Sequence, residues 1–324
     1  MLATVVISTY NRSDALKPTL MALARQDLRP SEYEVIVVDD GSTDDTPAVL
    51  EAISVPYVLR TFRQPFNQGV SAGRNVGLRN ATGTYIIILS DDLLVPQNFI
   101  STHVRTLERF PDAWVVGGFG QLDALAETPF GRFLEALERG FERGRTGRRV
   151  ELELYEMTLP TARNLSLRRS DLERVGLFDE RFRVTCEDQD LAQRAGVHGI
   201  RFLYNAALEC VHSDQAADLA RYCRFQERGA RDTVRLCAKY PEVHGGASIA
   251  RVNGYVAPSD GPVLIARKLT KLLLTSPPLM GAIELGVRYA ERAGTSDRFL
   301  RRGYRLVIGL YMFRGFRAGL REIS

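Results

Sequence analysis

Three short apolar runs, each ending abruptly in polar or acidic residues, narrow what this chain can fold into. Residues 4–8 lead into Ser8-Thr9-Tyr10, residues 34–38 into Asp39-Asp40-Gly41-Ser42, and residues 84–89 into Ser90-Asp91-Asp92. A strand that is apolar at nearly every position is buried on both faces, as in a parallel-rich sheet covered by helices on each side. The intervening segments agree. Residues 12–25 and 71–80 show helical spacing of apolar side chains, Ser42, Thr43, Asp44 and Asp45 offer N-caps for a helix through Ala52, and 98–109 reads as a further helix. Residues 58–62, 114–116 and 164–168 read as additional strands, 201–204 and 209–212 as two late ones, and 188–195 as a short helix stopping at Gly196. Segment 119–150 resists assignment. The expected class is α/β, with ligands bound beyond the carboxyl ends of the strands, where the three polar clusters coincide.

A chain of 324 residues exceeds one average domain. Charge divides it: residues 215–324 hold 19 Lys+Arg and 9 Asp+Glu, whereas residues 1–214 hold 24 and 30. We therefore expect an α/β domain over 1–214, in halves of about 1–118 and 119–214, followed by a basic helical region over 215–324. The acidic head suits a cation and the basic tail something anionic. Cys186, Cys210, Cys223 and Cys237 are scattered and form no C-x-x-C pair, so thiols in a reducing cytosol are expected rather than a zinc site or disulfide framework. The start, Met1 to Ile7, lacks a basic n-region, and no apolar stretch reaches spanning length. A cytoplasmic protein, soluble or peripheral on the inner face of the membrane, is the expectation.

The acidic clusters have two readings each. Asp91-Asp92, at the end of a buried strand, could hold a divalent cation and leave positions for phosphate oxygens and water; the same pair could simply end the strand in a turn. Asp39, at another strand end, could accept hydrogen bonds from a base or ribose, or cap the following helix. Glu187-Asp188 reads equally as a helix N-terminus, where acids are favoured, or as carboxylates fixed at the mouth of a site. Gly69, Gly73 and Gly77 do not have the G-x-G-x-x-G spacing of dinucleotide-binding folds, which argues against a dehydrogenase.

Taken in order, these segments resemble family-2 glycosyltransferases of the GT-A type. Val5-Val6-Ile7-Ser8-Thr9-Tyr10-Asn11-Arg12 resembles the family's opening strand, and Val37-Val38-Asp39-Asp40-Gly41-Ser42 its second strand and turn. Asn67-Gln68-Gly69-Val70-Ser71-Ala72-Gly73-Arg74-Asn75-Val76-Gly77 is similar to its N-x-G-x-x-x-A-R-N-x-G segment, with Gly73 for the usual Ala. Leu89-Ser90-Asp91-Asp92 matches the metal motif, usually D-x-D, with Ser90 in its first place. Gly176-Leu177-Phe178-Asp179-Glu180 and Glu187-Asp188-Gln189-Asp190-Leu191 look like the G-x-F-D-E and E-D-x-D-L motifs, so the match runs from about residue 4 to residue 212.

The resemblance implies a GT-A (Rossmann-like) mixed sheet flanked by helices, with a C-terminal helical extension. It implies an inverting transferase that moves a sugar from a nucleotide-diphosphate donor, most often a UDP-sugar, to an acceptor hydroxyl. Ser8, Thr9, Tyr10, Arg12, Asp39 and Asp40 would line the nucleotide, Arg74 would face it or its phosphates, and Asp91 would contact the ribose or a metal-bound water. Asp92 would ligate Mg²⁺ or Mn²⁺, with His212 near the metal. Asp188 would be the catalytic base, with Glu187 beside it, and Thr161-Ala162-Arg163-Asn164 would lie on the acceptor side. A saccharide or lipid-linked saccharide acceptor in cell-surface polysaccharide or glycolipid synthesis would follow. The alternative is a non-catalytic nucleotide-sugar-binding protein of the same fold; Ser90 favours it, and Asp39, Asp92, Glu187 and Asp188 speak against it. A sugar-phosphate nucleotidyltransferase would need a Gly-rich phosphate loop that Ser8 to Arg12 does not supply.

Beyond residue 215 the resemblance fades. The apolar run 306–313 lies between Arg301, Arg302 and Arg305 on one side and Arg314 and Arg317 on the other, and 264–274 mixes leucines with Arg267, Lys268 and Lys271. Such helices either lie on an anionic membrane surface or pack on the protein with their arginines in water. Nucleic acid is not expected, since no reading motif accompanies the arginines.

Overall fold

The chain opens with β1 (Ala3–Thr9), α1 (Ser13–Leu23), β2 (Tyr33–Asp39), α2 (Thr46–Ala52), β3 (Val58–Arg63), α3 (Val70–Asn80) and β4 (Tyr85–Leu89). Then come β5 (Leu93–Leu94), α4 (Phe99–Arg109), β6 (Ala113–Gln121), α5 (Pro129–Arg145), β7 (Thr146–Glu151), β8 (Leu154–Met157), β9 (Asn164–Arg168), α6 (Arg169–Val175), α7 (Glu187–Val197) and β10 (Arg201–His212). The computed structural model describes residues 1–121, 127–213, 218–242 and 248–323. They fall into two units: Met1–Asp123, Glu135–Arg183 and Glu187–Gln215 form the first, and Ala124–Leu134, Val184–Cys186 and Ala216–Ser324 the second. The domain boundary expected at residues 214–215 lies outside the described residues.

In the first unit a single sheet of ten strands runs β3-β2-β1-β4-β9-β6-β10-β8-β7, with β5 paired to β10. Strands β1, β2, β3 and β4 are mutually parallel, as their unbroken apolar sequences require. Beyond them the sheet is mixed: β9 is antiparallel to both β4 and β6, which restores the direction of β1 in β6 and β10. Strands β1, β2, β3, β4, β6 and β10 therefore end at one edge. The two late strands expected at 201–204 and 209–212 are one strand, β10, whose pairing with β6 shifts register between Asn205 and Cys210. The segment that resisted assignment contains α5 and β7.

Successive residues of the parallel strands serve opposite cores. Val5, Ile7, Val35, Val37 and Leu89 pack with Leu16, Leu20 and Phe99, whereas Val6, Ile36, Val38 and Ile88 pack with Leu78, Trp114 and Leu191. Each such side chain contributes roughly 1.5–3 kcal/mol on removal from water. Helix α3 approaches β1 more closely than any side chain would permit. A Cβ on Gly73 would stand 2.1 Å from Ser8 Oγ, and one on Gly77 2.4 Å from Val6 Cγ1. Gly73, where the resembled segment carries alanine, is thus matched to Ser8.

The second unit is helical: α8 (Leu219–Lys239), α9 (Ser248–Asn253), α10 (Pro262–Leu274), α11 (Pro277–Arg292) and α12 (Asp297–Ile323). Helices α8 and α12 meet where Gly315 lets the backbone at Glu227 come close, and Ala230, Val234 and Phe316 form a core beside it. The run 306–313 is part of this packing: Val307 and Leu310 are 1% exposed and Phe313 2%. Of the two readings of that run, packing within the protein describes all of it but Leu306, which is 45% exposed. Arg301, Arg302 and Arg305 stay in solvent, and Arg314 pairs with Glu227 at 2.6 Å. All four cysteines are thiols, and no helix among the described residues is long and apolar enough to cross a membrane.

Candidate functional site

The polar clusters at the ends of β1, β2, β4 and β10 share the carboxyl edge of the sheet, where side-chain hydrogen bonds join several of them. Thr9 Oγ1 donates to Asp91 Oδ2 at 2.6 Å, and Arg12 Nε lies 3.1 Å from Asp91 Oδ1. Arg12 Nη2 donates to Asp92 Oδ2, and His212 Nε2 stands 3.2 Å from the same oxygen. Thr9, Arg12, Asp91, Asp92 and His212 thus form one cluster from three strand ends. Burial raises the Asp91 carboxyl to about 6, against the charge of Arg12. Burial acts the same way on Asp92, but the hydrogen bond and charge of His212, with Arg12 and Arg163 behind them, outweigh it and bring that carboxyl down to about 2. Arg163, expected on the acceptor side, stacks on Phe119 at 4.3 Å and adds its charge here.

Asp39 faces Thr9 across the β1–β2 register and is buried. Ser42 N donates to Asp39 Oδ1 at 2.8 Å, while Arg63 Nε is 3.5 Å from Oδ2 without forming a hydrogen bond. Its neighbour Asp40 points into the protein. One oxygen accepts from Gln64 Nε2 at 2.6 Å and Gln68 N at 2.8 Å, the other from Gly69 N at 2.8 Å. Asp40 therefore holds the loop that leads into α3, a commitment that a run of acids does not reveal. Tyr10 is 41% exposed at the rim, and Ser8 lies under α3. Asn11, which the sequence did not single out, turns the chain after β1 in a left-handed conformation (φ 53°) and accepts from Thr43 N at 2.7 Å.

The motifs around residues 74, 178 and 187 form a second assembly. Arg74 Nη1 pairs with Glu187 Oε1 at 2.7 Å, both side chains being almost fully buried. Asn75 exchanges two 2.9 Å hydrogen bonds with the backbone of Phe178 and donates to Glu180 at 2.8 Å. Burial, then the charge of Asp188, raises Glu187 to about 7 in spite of Arg74. Arg74 is thus held by Glu187 at the start of α7. Asp188, one residue further on, is half-buried, and no hydrogen bond or ion pair to its carboxylate is formed among the described residues. The chain enters α7 through Cys186 at φ 71°, a conformation that costs a non-glycine residue energy and is concentrated at functional sites.

Buried oxygens are normally hydrogen-bonded. Here Asp39 Oδ2, Asp92 Oδ1 and Glu187 Oε2 are buried without a hydrogen-bond partner, as is His212 Nδ1. Carboxylate oxygens with an imidazole alongside suit a hard divalent cation such as Mg²⁺ or Mn²⁺, and the bare Asp92 Oδ1 fits one. No cluster of three acidic, His or Cys side chains is already assembled to hold a metal among the described residues.

Comparison with known proteins bears on this edge. The model of the glycosyl transferase family 2 matches residues 4–176. Validoxylamine A glucosyltransferase of Streptomyces hygroscopicus subsp. limoneus is 32% identical over 226 residues, covering 61% of this chain and 49% of that protein. The Staphylococcus aureus (strain Mu50) poly(ribitol-phosphate) beta-N-acetylglucosaminyltransferase TarS is 35% identical over 89 residues, 27% of this chain and 16% of that one. The chain spans about half or less of the length of the curated relatives it matches. Among solved structures, the mannosyltransferase PcManGT from Pyrobaculum calidifontis, in complex with GDP-Man and Mn²⁺, superposes with a TM-score of 0.56 at 20% identity over 94% of this chain and 86% of that one.

Proposed function

The chain belongs to the glycosyl transferase family 2 and has the GT-A fold, and from that premise we propose that it moves a sugar from a nucleoside-diphosphate donor to an acceptor hydroxyl, with inversion. The observation that carries the reading is the set of three buried carboxylates, Asp39, Asp92 and Glu187, each keeping one oxygen without a hydrogen bond at or beside the same sheet edge. Every residue assigned a part lies in the first unit, so we assign the chemistry to residues 1–214, with the donor side in about 1–118 and the acceptor side in 119–214.

In this reading Asp39 accepts from the donor's base or ribose, and Tyr10 supplies an exposed ring against the base. Thr9 and Arg12 hold Asp91 in place. Asp92, with His212, would hold a divalent metal, Mg²⁺ or Mn²⁺, which would supply positive charge against the departing diphosphate. Asp188 takes the proton from the acceptor hydroxyl as its oxygen attacks the anomeric carbon on the face opposite the diphosphate, and that geometry inverts the configuration. Arg74 and Glu187 act through position: their buried pair anchors the first turn of α7, from which Asp188 projects. The donor is a UDP-sugar, and the acceptor a saccharide or lipid-linked saccharide of cell-surface polysaccharide or glycolipid synthesis.

The test is release of nucleoside diphosphate from UDP-, GDP- and dTDP-sugars with and without Mn²⁺ or Mg²⁺, with Asp92→Ala and Asp188→Asn alongside. Metal-dependent turnover of one donor, lost in both variants, is expected, and the product carries the opposite anomeric configuration. A retained configuration would overturn inversion. Metal-dependent binding of one nucleotide with no turnover on any acceptor would replace the transferase by a nucleotide-sugar-binding protein.

A further inference from the structure

Helix α10 is built inside out. Its lysines point inward: Lys268 Nζ, 4% exposed, bonds Asp260 Oδ2 at 2.6 Å and Tyr255 O at 2.8 Å, and Lys271 Nζ bonds Asn253 Oδ1 at 2.7 Å and lies over the Phe313 ring. Its outward face carries Val263, Leu269, Leu272 and Leu273, which are 82%, 53%, 50% and 63% exposed. Helix α11 continues the pattern with Leu285 at 70% and Tyr289 at 73%. A helix that faces water places its charges outward and its leucines inward, so this arrangement runs against what an aqueous surface favours.

The segment that carries this face has charge of one predominant sign. Residues 261–310 hold nine Lys+Arg and three Asp+Glu. Each of the three acids is engaged within the protein: Glu284 accepts from Tyr311, Glu291 from Tyr304, and Asp297 from Arg132. Seven arginines of the segment, among them Arg267, Arg288, Arg301, Arg302 and Arg305, are exposed. A second copy of the chain would bring arginines against arginines, with every carboxylate of the segment already committed, so self-association through this face is disfavoured. An acyl boundary beneath anionic headgroups takes the leucines and the arginines together.

We infer that the outward faces of α10 and α11 form an interfacial docking surface for an anionic lipid bilayer. The apolar side chains enter the acyl boundary, Tyr289 sits at headgroup level, and the arginines meet the lipid phosphates. The surface contains no residue of the candidate site, so the inference stands apart from the transfer reading and is tested without turnover.

The experiment is flotation of the full chain with vesicles of phosphatidylglycerol and phosphatidylcholine in equal parts, and with phosphatidylcholine alone. Retention by the anionic vesicles, weakened by added salt, is expected. Arg301→Gln with Arg302→Gln weakens retention about fivefold per arginine, and Leu272→Glu with Leu273→Glu abolishes it while the thermal melt stays that of the parent chain. Absence of retention by the anionic vesicles, or retention unaltered by the leucine variant, overturns the inference. So does a concentration-dependent dimer in light scattering that the leucine variant dissolves, which would give the face to a second copy.

Discussion

Leu89 and Leu273 occupy opposite kinds of position. Leu89 closes β4 with 1% of its surface exposed and hands over to three polar residues at the sheet edge; Leu273, in the last turn of α10, stands in solvent, while Lys268 is enclosed. In the first unit strand direction sorts the side chains: apolar residues alternate into two cores, and the acids collect where parallel strands end. In the second unit no sheet imposes a direction, and a helix turns inward whichever face finds partners. Asp260 and Asn253 are those partners for the lysines of α10. The contrast teaches that local pattern predicts burial where backbone pairing fixes the faces, and predicts it poorly where a side-chain ion pair can recruit the polar face.

The largest expected effect tests whether chemistry is confined to the sheet edge. Asp188→Asn lowers kcat about 10²–10⁴-fold with little change in donor KM, because a proton acceptor is lost and the donor contacts are not. Leu273→Glu leaves turnover of a water-soluble acceptor unaltered in the same steady-state assay. A comparable loss from Leu273→Glu would break the division between the units.

Next in size is the packing contrast itself. Leu89→Ala costs about 2–5 kcal/mol, the range for a large-to-small change in a filled core, read from denaturant midpoints at constant m-value. A cost below that range would mean that the core around Leu89 collapses into the gap.

A third test uses pH. His103 on α4 is enclosed between Ser166 Oγ at 2.7 Å and Asn164 Oδ1 at 3.0 Å. Burial pushes its pKa down to about 3, against the Asn164 hydrogen bond. The unfolded chain therefore binds a proton below about 6.5 that the folded chain refuses. This contribution to stability is whole above that pH and declines toward pH 3, by about 1.4 kcal/mol per unit. His103→Gln, which keeps a hydrogen-bonding side chain without that titration, flattens the melting temperature against pH between 6.5 and 5. An unchanged slope would place the acid sensitivity in other groups.

Much of the first unit was legible from residues alone. Strand ends at 39, 91 and 92 are visible because an apolar run stops at a carboxylate, and the start of α7 is visible because acids gather there. What stayed hidden depends on contacts between distant segments. Nothing near Arg74 announces that Glu187 will neutralise it, and nothing near Asp40 shows that Gln64, Gln68 and Gly69 will occupy both its oxygens. The reversal at β9 was also hidden, since an apolar strand of five residues looks alike in either direction. In the second unit, the run 306–313 between arginines fitted lipid or protein equally; only the neighbouring α8 and α11 decide that it is buried.

The smallest expected effect is the most discriminating for that unit. Leu273→Ala removes a side chain that is 63% exposed and has little burial to lose, so stability in buffer changes by about 0.5 kcal/mol or less. Set against Leu89→Ala, the same chemical change then differs several-fold in cost between the two units. With anionic vesicles present the order partly reverses, because the bilayer stabilises only a chain that docks, and the parent gains thermal stability that Leu273→Ala does not match. If Leu273→Ala instead destabilises the chain in buffer as much as Leu89→Ala does, Leu273 is packed in solution, and the outward face of α10 belongs to the protein rather than to lipid.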